Sequence, residues 1–262
     1  MARYKYNVFR DTLRLLRATV AGSTADPFIM SNPRAVTSRS TLFHWSSISD
    51  RLNASQPDFL QAYSPYVSCQ PLLFDHLPEV PGREAFEHMT ELQSVRCEIF
   101  SRLLKLNGLA ICAERDCWEA IDRWVSGSVE ASEQTLAALP DNPSDNDLLR
   151  VRGEHFLQPV WQSIIIDLSL LMASQAQEKR PELAWVFWAD AGIDDGERFG
   201  RSPWFMDGRN LPLAPDSTPS RVLLVTLVTG AVQMALCRKL QHKGYSKETG
   251  LANIFTTLSS LT

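Results

Sequence analysis

The sequence predicts an α+β fold that is mostly helical. A helical N-terminal half is followed by a C-terminal half in which a small antiparallel sheet packs on two long helices. Three observations carry this expectation. Apolar residues recur at helical spacing, as at Phe86, Met89, Leu92, Ile99, Leu103 and Leu106. One compact aromatic and β-branched run, Ala184-Trp185-Val186-Phe187-Trp188, reads as a strand. Polar turn formers cluster at 140–146, from Pro140 and Asp141 to Asp145 and Asn146. That cluster divides a mostly helical region, 1–139, from an α+β region, 147–262, although one continuous globular unit fits the same pattern.

Taken in order, residues 4–20 read as a helix with Phe9, Leu13, Leu16 and Val20 on one face and Arg3, Arg10, Arg14 and Arg17 on another. Prolines from Pro27 to Pro81 leave room only for short helices over 22–83, because each removes a donor and restricts its predecessor. A helix follows over 83–107 and stops at Asn107-Gly108, a pair suited to a left-handed cap. Leu109 to Cys112 is a short apolar run that suits a strand. A helix restarts near Asp116 and turns Trp118, Ile121, Trp124 and Val125 inward.

In the second half Pro159 opens a helix that runs to Lys179, and Pro181 ends it. The strand 184–188 leads into an acidic loop, Asp190 to Glu197. A second strand is expected from Ser202–Met206 or the Asn210–Leu213 region, then a long helix over 219–241 and a last one near 250–261. Val222 to Cys237 is apolar but only sixteen residues long, shorter than the roughly 20 a spanning helix needs. No membrane span is expected.

Composition narrows the function classes. The chain has 262 residues, is 44% hydrophobic and carries a formal charge of −4, too apolar and too weakly charged for disorder. Residues 1–40 hold seven basic side chains against two acidic ones, a net of +5, which leaves −9 for the rest. The five cysteines are scattered and include no Cys-x-x-Cys pair, which excludes zinc-ribbon and thioredoxin-like motifs. Their odd number, with no apolar leader after Met1, predicts a reducing compartment rather than a disulfide framework, and a cytoplasmic location.

Few residues offer chemistry. Asp190, Asp194, Asp195 and Glu197 are interleaved with Gly192 and Gly196, and clustered carboxylates suit Ca²⁺, Mg²⁺ or a basic partner surface. EF-hand spacing fails, since Gly192 stands at the third position and no Glu at the twelfth. A solvated loop is the plainer reading. Trp188 and Trp204 flank this segment and are candidate aromatic anchors for a partner. The N-terminal arginines suit phosphates or anionic lipid, but the acidic chain lacks nucleic-acid motifs, so a charged solvated face is expected and nucleic acid is not the expected partner.

There is no Gly-x-Ser-x-Gly elbow, no phosphate loop and no His-x-x-x-His pair, so no residue is assigned a catalytic or metal role and no cofactor is expected. Cys117 falls near a helix start, where a thiolate is stabilised, although a buried structural cysteine is the commoner case. Asp167 sits inside the apolar run Ile164-Ile165-Ile166-Asp167-Leu168 and needs an internal partner there. An anchor to Arg or Trp is favoured over a catalytic role. Two alternatives stand beside this reading: a metal-dependent enzyme using Asp167, the acidic loop and His155, and a nucleic-acid or membrane-surface binder working through the N-terminal arginine helix.

Trp161-x-Ser163-x-x-x-Asp167-Leu168, then Pro181-x-Leu183-x-Trp185 and a strand, resembles a pattern in uncharacterised bacterial proteins. The Ala113–Val125 segment, with Trp118 and Trp124, is similar to an upstream part of the same kind of protein. The resemblance covers residues 110–230 and implies a cytoplasmic accessory protein of the toxin-associated immunity class, whose partner is a cognate toxin. It implies no catalytic residues.

Overall fold

The computed structural model describes residues 79–152, 156–190, 203–210, 221–246 and 250–260. The expected N-terminal helix with its four arginines, and the proline-punctuated segment up to residue 78, lie outside the described residues. The described chain is α+β and mostly helical, with its small antiparallel sheet in the C-terminal half.

The run expected as one helix over 83–107 is two, α1 (Glu79–Glu91) and α2 (Gln93–Leu106), meeting at Leu92. The break coincides with a change of core: Met89 of α1 packs in one apolar cluster, and Leu92 with Ile99, Phe100 and Leu103 of α2 packs in another. At the end of α2 the expected cap is present. Gly108 takes a φ of 72°, and the Leu109 amide donates back to the Leu104 carbonyl at 3.0 Å.

Leu109–Cys112 forms no strand. Cys112 is instead joined by a disulfide to Cys117, a correction to the expectation of free thiols. A Cys-x-x-Cys test does not detect a bond that closes over five positions.

α3 (Arg115–Ser128) buries Trp118, Ile121, Asp122 and Val125. α4 (Glu133–Ala138) is capped by Ser132 and α5 (Asp145–Val151) by a reciprocal Ser144–Asp147 box, so the polar run 140–146 is the join between two capped short helices. Residues on both sides of that join share the larger core.

α6 (Pro159–Lys179) has the bounds its flanking prolines suggest. Every residue from Ser163 to Ala173 is buried, as expected of a helix that is apolar all round. α2 covers it on one side, and α7 (Leu224–Leu240) and α8 (Leu251–Ser259) cover it elsewhere.

β1 (Leu183–Val186) pairs antiparallel with β2 (Trp204–Asp207), in the register Val186 opposite Trp204 and Leu183 opposite Asp207. β2 pairs in turn with the two-residue β3 (Arg221–Val222). The larger core joins α2, α3, α6, α7 and α8 with Leu183, Phe205 and Val222 of the sheet. A smaller one joins α1, the Ile166–Leu170 side of α6, the sheet and Leu223. No described helix is long and apolar enough to cross a membrane.

The seat of α8 is a buried carboxylate on α3. The amides of Leu251 and Ala252 donate to Asp122 Oδ1 and Oδ2 at 2.8 and 3.1 Å, and the Tyr245 hydroxyl donates to Oδ2 at 3.4 Å. Asp122 thus caps a helix more than a hundred residues away. Gly250 is needed for space: a Cβ there would lie 2.1 Å from Asp122 Oδ2. Trp118 stacks on Phe255 one turn along, with ring centroids 5.5 Å apart.

Burial pushes the Asp122 carboxyl above its usual range, further than its two amide donors pull it down. A carboxyl raised in the folded state contributes stability that is present below its unfolded pKa and lost as pH rises through the folded value. The half-buried Asp207 carboxylate, held down at about 2 by its hydrogen bonds from Arg209, acts in the opposite sense. The difference between wild type and Asp122→Asn therefore isolates this group. Urea unfolding across a pH series from about 4 upward is expected to show the wild type losing stability relative to the variant. Parallel curves would contradict this account.

Candidate functional site

The antiparallel register makes residues 187–203 the connection between β1 and β2. That connection carries every residue singled out as a partner contact apart from Trp204, which opens β2 at its far end.

The structure moves the two tryptophans inward. Trp188 is 1% exposed and Trp204 9%, and both sit in the smaller core with Met89, Ile166 and Met206. This corrects the expectation of surface anchors, because neither ring is available to a partner in this conformation. Trp188 follows β1 and Trp204 opens β2, and both pack in one apolar cluster with Ile166 and Leu170 of α6, where large apolar side chains are withdrawn from water.

Asp190 is held within the molecule. Arg83 of α1 donates to it through both terminal nitrogens, Nη1 to Oδ2 at 3.0 Å and Nη2 to Oδ1 at 2.9 Å. The same guanidinium lies over the Phe187 ring, 4.3 Å from its centroid. The Arg83 hydrogen bonds hold the Asp190 carboxyl below its ordinary range, so it stays ionised as half of a neutral pair. The Asp190 amide donates to the Phe187 carbonyl at 3.0 Å, closing a turn at the root of the connection. Asp194, Asp195 and Glu197 lie outside the described residues, and the sequence places Arg198 and Arg201 directly after them.

Asp167 is the internal anchor favoured for it. Arg96 of α2 donates from Nε to Oδ1 at 2.7 Å, and the two side chains are 3% and 0% exposed. Burial and the Asp167 charge together push the neighbouring Cys97 thiol up to about 12, which leaves it inert as a nucleophile. His155, the base of the alternative reading, lies outside the described residues. Among the described residues no group of three or more His, Cys, Asp or Glu is placed to hold a metal ion.

Several organising residues were missed from sequence. Arg96 lies on the inward stripe of Leu92, Ile99 and Leu103, and a cation on an apolar stripe is a signal that a buried carboxylate awaits it. Arg152 also went unnoticed. It donates to Cys237 Sγ at 2.7 Å and lies over the Phe156 ring at 5.8 Å, pairings between segments with no shared sequence signal. No family model, curated protein or solved structure matches the chain, so the site rests on its own geometry.

Removing one member of the Arg96–Asp167 pair strands a buried charge. Asp167→Ala is expected to cost about 3–5 kcal/mol by denaturant unfolding, and the double variant Arg96→Met/Asp167→Leu to recover most of it. A double variant as unstable as the single one would contradict the charge argument. Arg83→Ala removes an exposed pair, for which a loss of at most about 1 kcal/mol is expected. Its effect should be local, as faster hydrogen exchange at the Asp190 amide with α6 unchanged.

Proposed function

We propose that the protein acts by binding another protein through the β1–β2 connection. In its most concrete form it is a cytoplasmic immunity protein that occludes the basic active surface of a cognate toxin. The observation that carries this reading is how the connection is held at its two ends. Phe187 and Trp188 are buried at one end and Trp204 at the other, and the Arg83–Asp190 pair clamps the first turn. Asp194, Asp195 and Glu197 are carried between these fixed points.

Fixing the ends of a binding segment lowers the ordering entropy lost on association. Buried Trp188 and Trp204 therefore serve recognition by holding the connection in place. The charge balance supports a basic partner, since residues beyond 40 sum to −9. The metal-dependent reading has no supporting ligand group among the described residues, and the arginine-helix reading concerns residues outside them.

Carboxylates at a rim act mainly on encounter. Capture from native lysate would identify the partner, and binding kinetics would then compare wild type with Asp194→Lys/Asp195→Lys/Glu197→Lys. The triple variant is expected to associate roughly tenfold more slowly at low salt, with the gap closing as salt rises. Equal association rates at low salt would remove this connection from the binding surface.

A further inference from the structure

Cys112 and Cys117 form a disulfide that closes the connection after α2 onto the first turn of α3, with Cα atoms 5.9 Å apart. Both residues are half-buried, and Glu114, Arg115 and Asp116 between them are exposed, so the bond lies where a small reagent reaches it. The other two described cysteines differ. Burial pushes the thiols of Cys97 and Cys237 up and makes them poor nucleophiles. Cys69 lies outside the described residues.

As a staple this bond has little leverage. Cross-link stabilisation grows with the length of chain enclosed, and this one encloses only the four residues Ala113 to Asp116. As a reactive pair it is well placed. Cys117 is the third residue of α3, where unpaired backbone amides and the helix dipole stabilise a thiolate. Of the two carboxylates beside it, Glu114 lies 3.4 Å from the Lys179 ammonium, and Asp116 is exposed.

We propose that Cys112–Cys117 is a thiol–disulfide exchange site whose co-substrate is a low-molecular-weight thiol of the glutathione class. A thiolate attacks the Cys112 sulfur. The Cys112–Cys117 bond breaks as a mixed disulfide forms on Cys112, and Cys117 leaves as the helix-stabilised thiolate. A second thiolate attacks the external sulfur of the mixed disulfide, releasing the oxidised co-substrate and the Cys112 thiolate. Two thiols are oxidised, one protein disulfide is reduced, and the two protons end on Cys112 and Cys117. The reverse sequence, driven by the oxidised co-substrate, closes the bond again.

The test equilibrates the full chain in glutathione buffers, from wholly reduced to wholly oxidised, then quenches with acid, alkylates and locates the label by peptide mass. Cys112 and Cys117 are expected to open and close together, along the same curve from either direction, with Cys97 and Cys237 outside the transition. A pair that stays bonded at every ratio, or never closes in oxidised glutathione, overturns the proposal. A second arm compares single variants at neutral pH. Cys117 in Cys112→Ser is expected to react with iodoacetamide roughly tenfold faster than Cys112 in Cys117→Ser. Equal or reversed rates overturn the assignment of Cys117 as the leaving thiolate.

Discussion

A helix covered on every side has no solvent-facing stripe on which to place a charge, yet α6 carries Asp167 among isoleucines and leucines. The rest of the described fold is arranged around that constraint. An ionised carboxylate in such a place is tolerable only with a cation and good geometry, and Arg96 supplies both from α2. The pair fixes how α2 lies along α6, because sliding either helix by one turn would separate the charges. Other polar groups on α6 are handled in the same spirit. Ser169 returns its hydroxyl proton to the Ile165 carbonyl at 2.7 Å, and Gln175 accepts the Trp118 indole N–H at 2.8 Å, which ties α3 to the same axis. Apolar burial supplies most of the driving force, at about 1.5–3 kcal/mol for each large side chain, and these polar links select among its possible registers.

Because α6 is apolar all round, it serves two cores at once. Ile164, Ile165 and Leu168 face the helical core, and Ile166 and Leu170 face the sheet. The break at Leu92 falls where the chain passes from Met89 in the sheet-side core to Leu92 in the other. The short sheet gains its stability from the same source. Three strands of four, four and two residues have few ladder bonds of their own, and their large apolar side chains against α6 make up the difference.

Legibility in the sequence tracked whether the deciding physics was local. The bounds of α6 were readable because prolines stand at both ends, and the end of α2 because Asn107-Gly108 names its own cap. The strand at 184–188 was readable from composition alone, but β1 starts one residue earlier, at Leu183, and ends two earlier, at Val186. What escaped depended on partners distant in sequence: Arg96 for Asp167, Arg83 for Asp190, Asp122 for the amides of α8. At the candidate site the acidic residues could be seen, but the tryptophans were misjudged. A Trp in a strand reads identically whether its ring faces solvent or a helix, and only the sheet's position on α6 decides between them. The disulfide was hidden for a simpler reason, since spacing tests designed for metal and redox motifs do not cover a bond across five positions.

The two proposed sites are rooted on different sides of the division into two cores. α3 carries Cys117 in its first turn, Trp118 against Phe255, and Asp122 under the amides of α8, all within about 7.5 Å of helix axis. Opening the disulfide therefore acts on an element whose next contacts are the seat of the C-terminal helix and the helical core. The β1–β2 connection is rooted elsewhere, in the smaller core with α1 and the outer side of α6. Its clamp is the Arg83–Asp190 pair. Coupling between two sites requires an element with two arrangements that both can bias. Of the described elements, α6 and the sheet line both cores, the sheet through Leu183 and Phe205 on one side and Val186, Trp204 and Met206 on the other. A redox change at α3 would reach the proposed binding connection through α6 and the sheet, and of these α6 is held against α2 by the buried Arg96–Asp167 pair.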